Sequence, residues 1–96
     1  MLVPYLITYD NSFPRDYTAL YQLMADNDAV RLAQSVWLLA TPASAITVRD
    51  AVQATLQRDD KVAVVQLQHE GAWATRNVAE AANDWMSGRL TPAIAA

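Results

Sequence analysis

The sequence predicts an α+β sandwich, and three observations carry that expectation. Residues 4–10 and 61–68 alternate along the chain with the period of two that places successive side chains on opposite faces of a strand. Two amphipathic segments, residues 16–27 and 44–58, have the wider apolar spacing of helices and separate the strand-like stretches. The composition is 53% apolar, with two Gly and four Pro among 96 residues, so one folded domain is expected and not a low-complexity chain.

In the first strand Tyr5, Ile7 and Tyr9 share one face, while Leu6, Thr8 and Asp10 share the other. Both faces are largely apolar, which suits a central strand covered on two sides. Asn11-Ser12-Phe13-Pro14 reads as a turn. Asp16 is the expected cap of the first helix, whose stripe is Tyr17, Leu20, Tyr21 and Met24, widened by Leu23. Asp26-Asn27-Asp28 ends it.

Residues 30–41 are too long for a single ordinary strand. Two strands, or one strand kinked near Gln34-Ser35-Val36, both fit, because a hairpin there lacks Gly and the Asn-Gly signal. Either Thr41 with Pro42, or Ser44, caps the second helix, which buries Val48, Val52 and Leu56. After Asp59-Asp60 comes the clearest strand, with Ala63, Val65 and Leu67 on one face and Val62, Val64, Gln66 and Gln68 on the other. The second of these faces is half apolar and half amide, a surface suited to another protein.

His69-Glu70-Gly71 reads as a turn, residues 72–77 as a short extra strand, and residues 78–87 as a short helix ended by Gly88. Val78, Ala82, Trp85 and Met86 point inward on that helix. The tail, residues 90–96, is expected to be loosely held. The resulting order β-α-β-β-α-β fits a ferredoxin-like sandwich: a four-stranded antiparallel sheet with both helices on one face, plus a C-terminal strand and helix. It forms a single domain with its core at about 4–68 and a C-terminal, dimer-extending segment at about 72–90. The other sheet face is expected to be open, which makes homodimerisation the first expectation for function.

The formal charge is −3 and the isoelectric point about 4.7, with the seven basic residues scattered. A broad phosphate-binding surface is therefore not expected. The absence of cysteine removes disulfides and thiolate metal sites and favours a reducing, cytoplasmic setting. No apolar run is long enough to span a bilayer.

The Tyr9-Asp10 strand end, the Gln34-Ser35-Val36-Trp37 run and Asp60-Lys61-Val62 opening a later strand, in this order with the two helices, resemble the small CRISPR-associated ferredoxin-like protein that partners the spacer integrase. They also resemble the wider superfamily containing virulence-associated protein D. The resemblance covers about residues 4–68. It implies a homodimer formed through the open sheet face, with a C-terminal strand extending the partner's sheet. Asp10 maps onto the family's aspartate, whose two copies share Mg²⁺ or Mn²⁺ across the dimer axis, and Ser35 maps onto the serine of the Ser-Val-aromatic motif. Trp37 stands where the family usually has Phe. Leu38-Leu39 replaces its common Glu-Gly, and of its basic residues only Arg15 remains near helix one.

Asp10 is thus the candidate metal-binding and catalytic residue, with Asn11 and Ser12 as further oxygen donors. The same three residues also make an ordinary turn. Ser35, Arg15 and Arg76 are the candidate contacts to nucleic acid, Arg76 because it lies beside Trp73. Val62, Val64, Gln66 and Trp73 are the candidate dimer interface. Trp37, Trp73 and Trp85 read first as packing residues. His69, the lone histidine, has no nearby nucleophile in sequence and reads as a loop residue. Two functions follow: a homodimeric interaction module contacting a protein or a nucleic acid, or a metal-dependent endoribonuclease of toxin type built on paired Asp10 side chains.

Overall fold

The computed structural model describes residues 1–10 and 16–90. In chain order it comprises β1 (Val3–Asp10), α1 (Thr18–Asp26), β2 (Val30–Ala33), β3 (Val36–Thr41), α2 (Ala45–Gln53), β4 (Lys61–Gln66) and α3 (Glu80–Arg89). The strands form one sheet in the order β2-β3-β1-β4, and each neighbouring pair is antiparallel. The expected turn at Asn11 to Pro14 lies outside the described residues.

The alternation along β1 fixes an inner layer. Tyr5, Ile7 and Tyr9 are buried against Leu20 and Met24 of α1 and Val48 and Val52 of α2, with Leu39 of β3 completing the cluster. Register then settles the parity of β4: Ile7 pairs with Val64 and Tyr9 with Val62, so both valines face the helices. A buried hydroxyl ties the layer together, since Tyr5 Oη donates to the Ala43 carbonyl oxygen at 2.7 Å.

Helix ends follow local chemistry. Ser44 caps α2, its hydroxyl accepting from the Thr47 N–H at 3.2 Å. This helix stops at Gln53, short of the expected residue 58. Thr55 Oγ1 donates to the Val52 carbonyl, and the Asp60 carboxylate accepts from the Gln57 N–H, so side chains take backbone groups a longer helix would use. At the end of α1, Asp28 has a φ of 56°. The Asp28 and Ala29 N–H groups donate back to the Ala25 and Met24 carbonyls, a Schellman closure with aspartate in the usual glycine position.

Residues 30–41 form two strands. Ala33 pairs with Val36, leaving Gln34-Ser35 as a two-residue loop. Neither loop residue has a positive φ, so the turn is not of the primed types that match strand twist. The irregularity between Arg31 and Ala33 takes up the mismatch.

The C-terminal expectations change most. Residues 71–75 have no regular structure, so the extra strand expected at 72–77 is not formed. Trp73 instead packs onto the sheet, and the Thr75 hydroxyl bonds to the Asn83 side chain of α3. The last helix runs through Gly88 to Arg89. It lies on the face opposite α1 and α2, where Ala82, Trp85 and Met86 form a second cluster with Leu38. Leu90, expected in a loose tail, is buried in this cluster. The expected open face is therefore half covered: α3 shields the β2–β3 side and leaves the β1–β4 side. Among the described residues, no helix is long and apolar enough to cross a membrane.

Candidate functional site

Asp10 is the last residue of β1 and is exposed. It shares the outer face with Leu6 and Thr8, because the residues between them point to the buried inner layer. On β4 its register partner is Lys61, followed by Thr8 with Ala63 and Leu6 with Val65. Lys61 and Ala63 are exposed, and Val65 keeps 53% of its surface accessible. The uncovered half of the sheet thus presents Ala63 and Val65, with half-buried Leu6 at its border with the side that α3 covers, and is ended by an acid and a base on adjacent strands. A shallow hollow of about 130 Å³ lies at that end, among Thr8, Asp10 and Lys61.

A divalent cation needs several oxygen ligands. Asn11, Ser12 and Arg15 lie outside the described residues. Among the described residues no cluster of three or more His, Asp or Glu side chains is suited to a metal. The ammonium of Lys61 on the neighbouring strand also repels a cation at Asp10.

The candidate nucleic-acid contacts are dispersed. Ser35 sits in the β2–β3 turn, where its carbonyl accepts from the Tyr9 N–H at 3.3 Å. Arg76 is exposed in the segment preceding α3. His69 Nδ1 lies 3.0 Å from the Arg89 carbonyl, so this ring fastens the segment after β4 to the end of α3.

The candidate dimer residues divide by strand parity. Val62 and Val64 pack against the inner core, and Gln66 shares their side of β4. Trp73 packs against the outer cluster of the same chain. The positions left accessible on that strand's outer face are the alternate ones, Ala63 and Val65.

Sequence reasoning missed Arg31. Its guanidinium carbon lies 4.9 Å from the Tyr21 ring centroid and 5.1 Å from that of Trp37. Its Nη2 donates to Tyr21 Oη at 2.8 Å and to the Gln34 carbonyl at 3.1 Å. The Tyr21 hydroxyl bond raises the Arg31 pKa above its ordinary value, and a guanidinium is a permanent cation with or without that bond. Tyr9, Tyr17, Tyr21 and Trp37 form a chain of rings at centroid spacings of 5.6, 5.8 and 6.0 Å. Trp37 Nε1 donates to Tyr9 Oη at 3.2 Å. The ring of Trp37 is occupied by Arg31 and its N–H by Tyr9, which makes it a packing residue. The available signal was the cross-strand pairing of Arg31 with Trp37, visible only once the hairpin at Gln34-Ser35 is accepted.

No family model, curated protein or solved structure matches this chain.

Proposed function

We propose that the chain is a ferredoxin-like interaction module that pairs with a second copy of itself through the outer face of β1 and β4. The observation that carries this reading is the half-covered sheet: α3 shields one side of the face, while Ala63 and Val65 stay exposed beside half-buried Leu6. A contiguous apolar strip on a sheet gains most from a partner of matching flatness. The element order and the antiparallel arrangement β2-β3-β1-β4 support the ferredoxin-like part of the reading.

A second copy suits the strip because its end carries both charges. Under two-fold symmetry a patch must complement itself. Asp10 of one copy can then face Lys61 of the other, and the Lys61–Asp10 pairing is repeated symmetrically. The net charge of −3 disfavours a nucleic acid as the occupant.

Light scattering coupled to size-exclusion chromatography tests the reading. The expected mass at micromolar concentration is that of a dimer. Val65→Lys should weaken pairing at least about tenfold while leaving the circular dichroism spectrum unchanged, because the added charge sits on a face that is open in the single chain. A folded wild-type monomer at tens of micromolar overturns the proposal.

Asp10 is exposed on the pairing face, and that observation favours a second reading. Pairing would bring two copies of the carboxylate to one surface, as a metal-dependent endoribonuclease of this kind would require. RNA cleavage that needs Mg²⁺ or Mn²⁺ and disappears in Asp10→Ala is its test. RNA left intact by the dimeric protein with either metal removes it.

A further inference from the structure

The sheet has two edges, and they are built differently. At one edge β2 has four residues, carries Arg31 and is irregular between Arg31 and Ala33. A short strand, a charge and an irregularity are the means by which a sheet edge is kept from pairing. At the other edge β4 has six residues in regular register with β1. Its one charged residue, Lys61, stands at the start, and Val62-Ala63-Val64-Val65 follow without Gly or Pro.

Hydrogen bonding shows which backbone groups the β4 edge presents. The Leu67 N–H donates to the Pro4 carbonyl at 2.8 Å, and on the other side of β1 the Tyr9 N–H donates to the Ser35 carbonyl. Backbone groups alternate in direction along an antiparallel strand. Those of Lys61, Ala63 and Val65 therefore point to β1, and those of Val62, Val64 and Gln66 point away from it. Since β4 pairs with β1 alone, this second set has no strand partner among the described residues. A row of alternating donors and acceptors at strand spacing selects an extended backbone as its occupant.

We propose that a second copy of the chain occupies this edge, with the two β4 strands antiparallel about a two-fold axis at Val64. In that register Val62 faces Gln66 of the second copy and Val64 faces its own counterpart, so every outward backbone group of both strands is paired. On the outer side Ala63 lies opposite Val65, and Lys61 lies opposite Leu67, so no like charges meet directly. The blunted β2 edge stands at each end of the joined sheet, which stops edge pairing at two copies. This contact lies in the plane of the sheet and leaves the outer face free. It does not rest on the face pairing and is compatible with it.

The chain has no cysteine, so Val64→Cys supplies a single reporter on the axis. Opposed residues of a hydrogen-bonded antiparallel pair have Cα atoms about 5.5 Å apart, within the span of a disulfide. A strand-edge contact is smaller than a standard interface, which sets its strength on the order of 0.1 mM and calls for protein at about 1 mM. In a glutathione redox buffer more than about half of the Val64→Cys chains should form a covalent dimer. In the wild-type chain, amide exchange at Val62, Val64 and Gln66 should slow about fivefold between about 10 μM and 1 mM. Gln66→Pro removes an outward N–H without touching a bond to β1. It should abolish both the slowing and the Val64→Cys cross-link, with the circular dichroism spectrum unchanged. A cross-link that survives Gln66→Pro overturns the proposal. So do wild-type edge amides that exchange equally fast at both concentrations, a result that needs no substituted chain to fold. The two contacts fail separately: a micromolar monomer removes the face pairing, and concentration-independent edge amides remove this one.

Discussion

The two faces of this sheet are built to different standards. On the inner face α1 and α2 cover a cluster in which Ile7 and Leu20 have no accessible surface, and the donors of buried Tyr5 and half-buried Trp37 have partners. On the outer face one helix covers half the sheet, two indole donors have no partner among the described residues, and a hollow lined in part by Trp73 remains. The inner layer has a gap of its own, a hollow of about 190 Å³ lined by Ile7, Met24, Leu39, Val48 and Val52, so the two faces differ in how much of the sheet is covered more than in freedom from gaps.

The most direct way to break this comparison is to add volume on each side. Leu20→Phe should destabilise the chain by about 1–3 kcal/mol, because a close-packed core takes extra atoms only by straining its neighbours. Leu32→Phe places the same change in a half-buried residue that lines the outer cavity, and should be neutral or stabilising by up to about 1 kcal/mol. Denaturant unfolding measures both. Equal losses would mean that the two layers are packed alike.

Helix ends sharpen the comparison at smaller scale. The inner helix α2 has Ser44 at its N-cap, whereas α3 begins at Ala79, whose side chain supplies no acceptor. Ala79 nevertheless has the extended backbone of a cap, with φ −61° and ψ 146°. Ser44→Ala should therefore cost about 1 kcal/mol, and Ala79→Ser should gain about 0.5–1 kcal/mol. Thermal melts of the two variants should move in opposite directions. A loss in Ala79→Ser would show that α3 is held by its side chains regardless of its end.

The same division governs what could be read from the sequence. The stripes of α1 and α2 and the alternation of β1 are local patterns, and the inner cluster contains the residues they single out: Leu20, Met24, Val48, Val52, Tyr5, Ile7 and Tyr9. Strand β4 was harder, because Val62 to Val65 is apolar at every position. Periodicity separates its faces without saying which is covered, and only the pairing of Val64 with Ile7 decides that. The stripe on α3 was also legible, but its docking place was not, since a terminal helix finds its surface through contacts distant in sequence. For the candidate site, the end position of Asp10 was readable from the apolar run that precedes it. Lys61 beside it and Arg31 on Trp37 depend on strand register, which no local spacing reveals.

The smallest expected effect lies at the start of α1. The Asp16 carboxylate accepts from the Thr18 N–H at 2.8 Å and also from the Thr18 hydroxyl. These bonds hold the charged form and lower its pKa from the ordinary value of 3.8, with the side-chain bond the larger cause. The sign follows by linkage. Between the lowered folded value and 3.8 the unfolded chain binds more protons, so the contribution is fully present above 3.8 and is lost as pH falls through the folded value. Asp16 is fully exposed, which keeps the effect small. Asp16→Asn should therefore be slightly less stable than the wild type at neutral pH, and the gap should close in acid. Parallel urea midpoints across the acidic range measure it. A gap that stays constant or widens towards low pH would mean that the Asp16 charge does nothing for α1, and that this inner helix is held by Leu20 and Met24 alone.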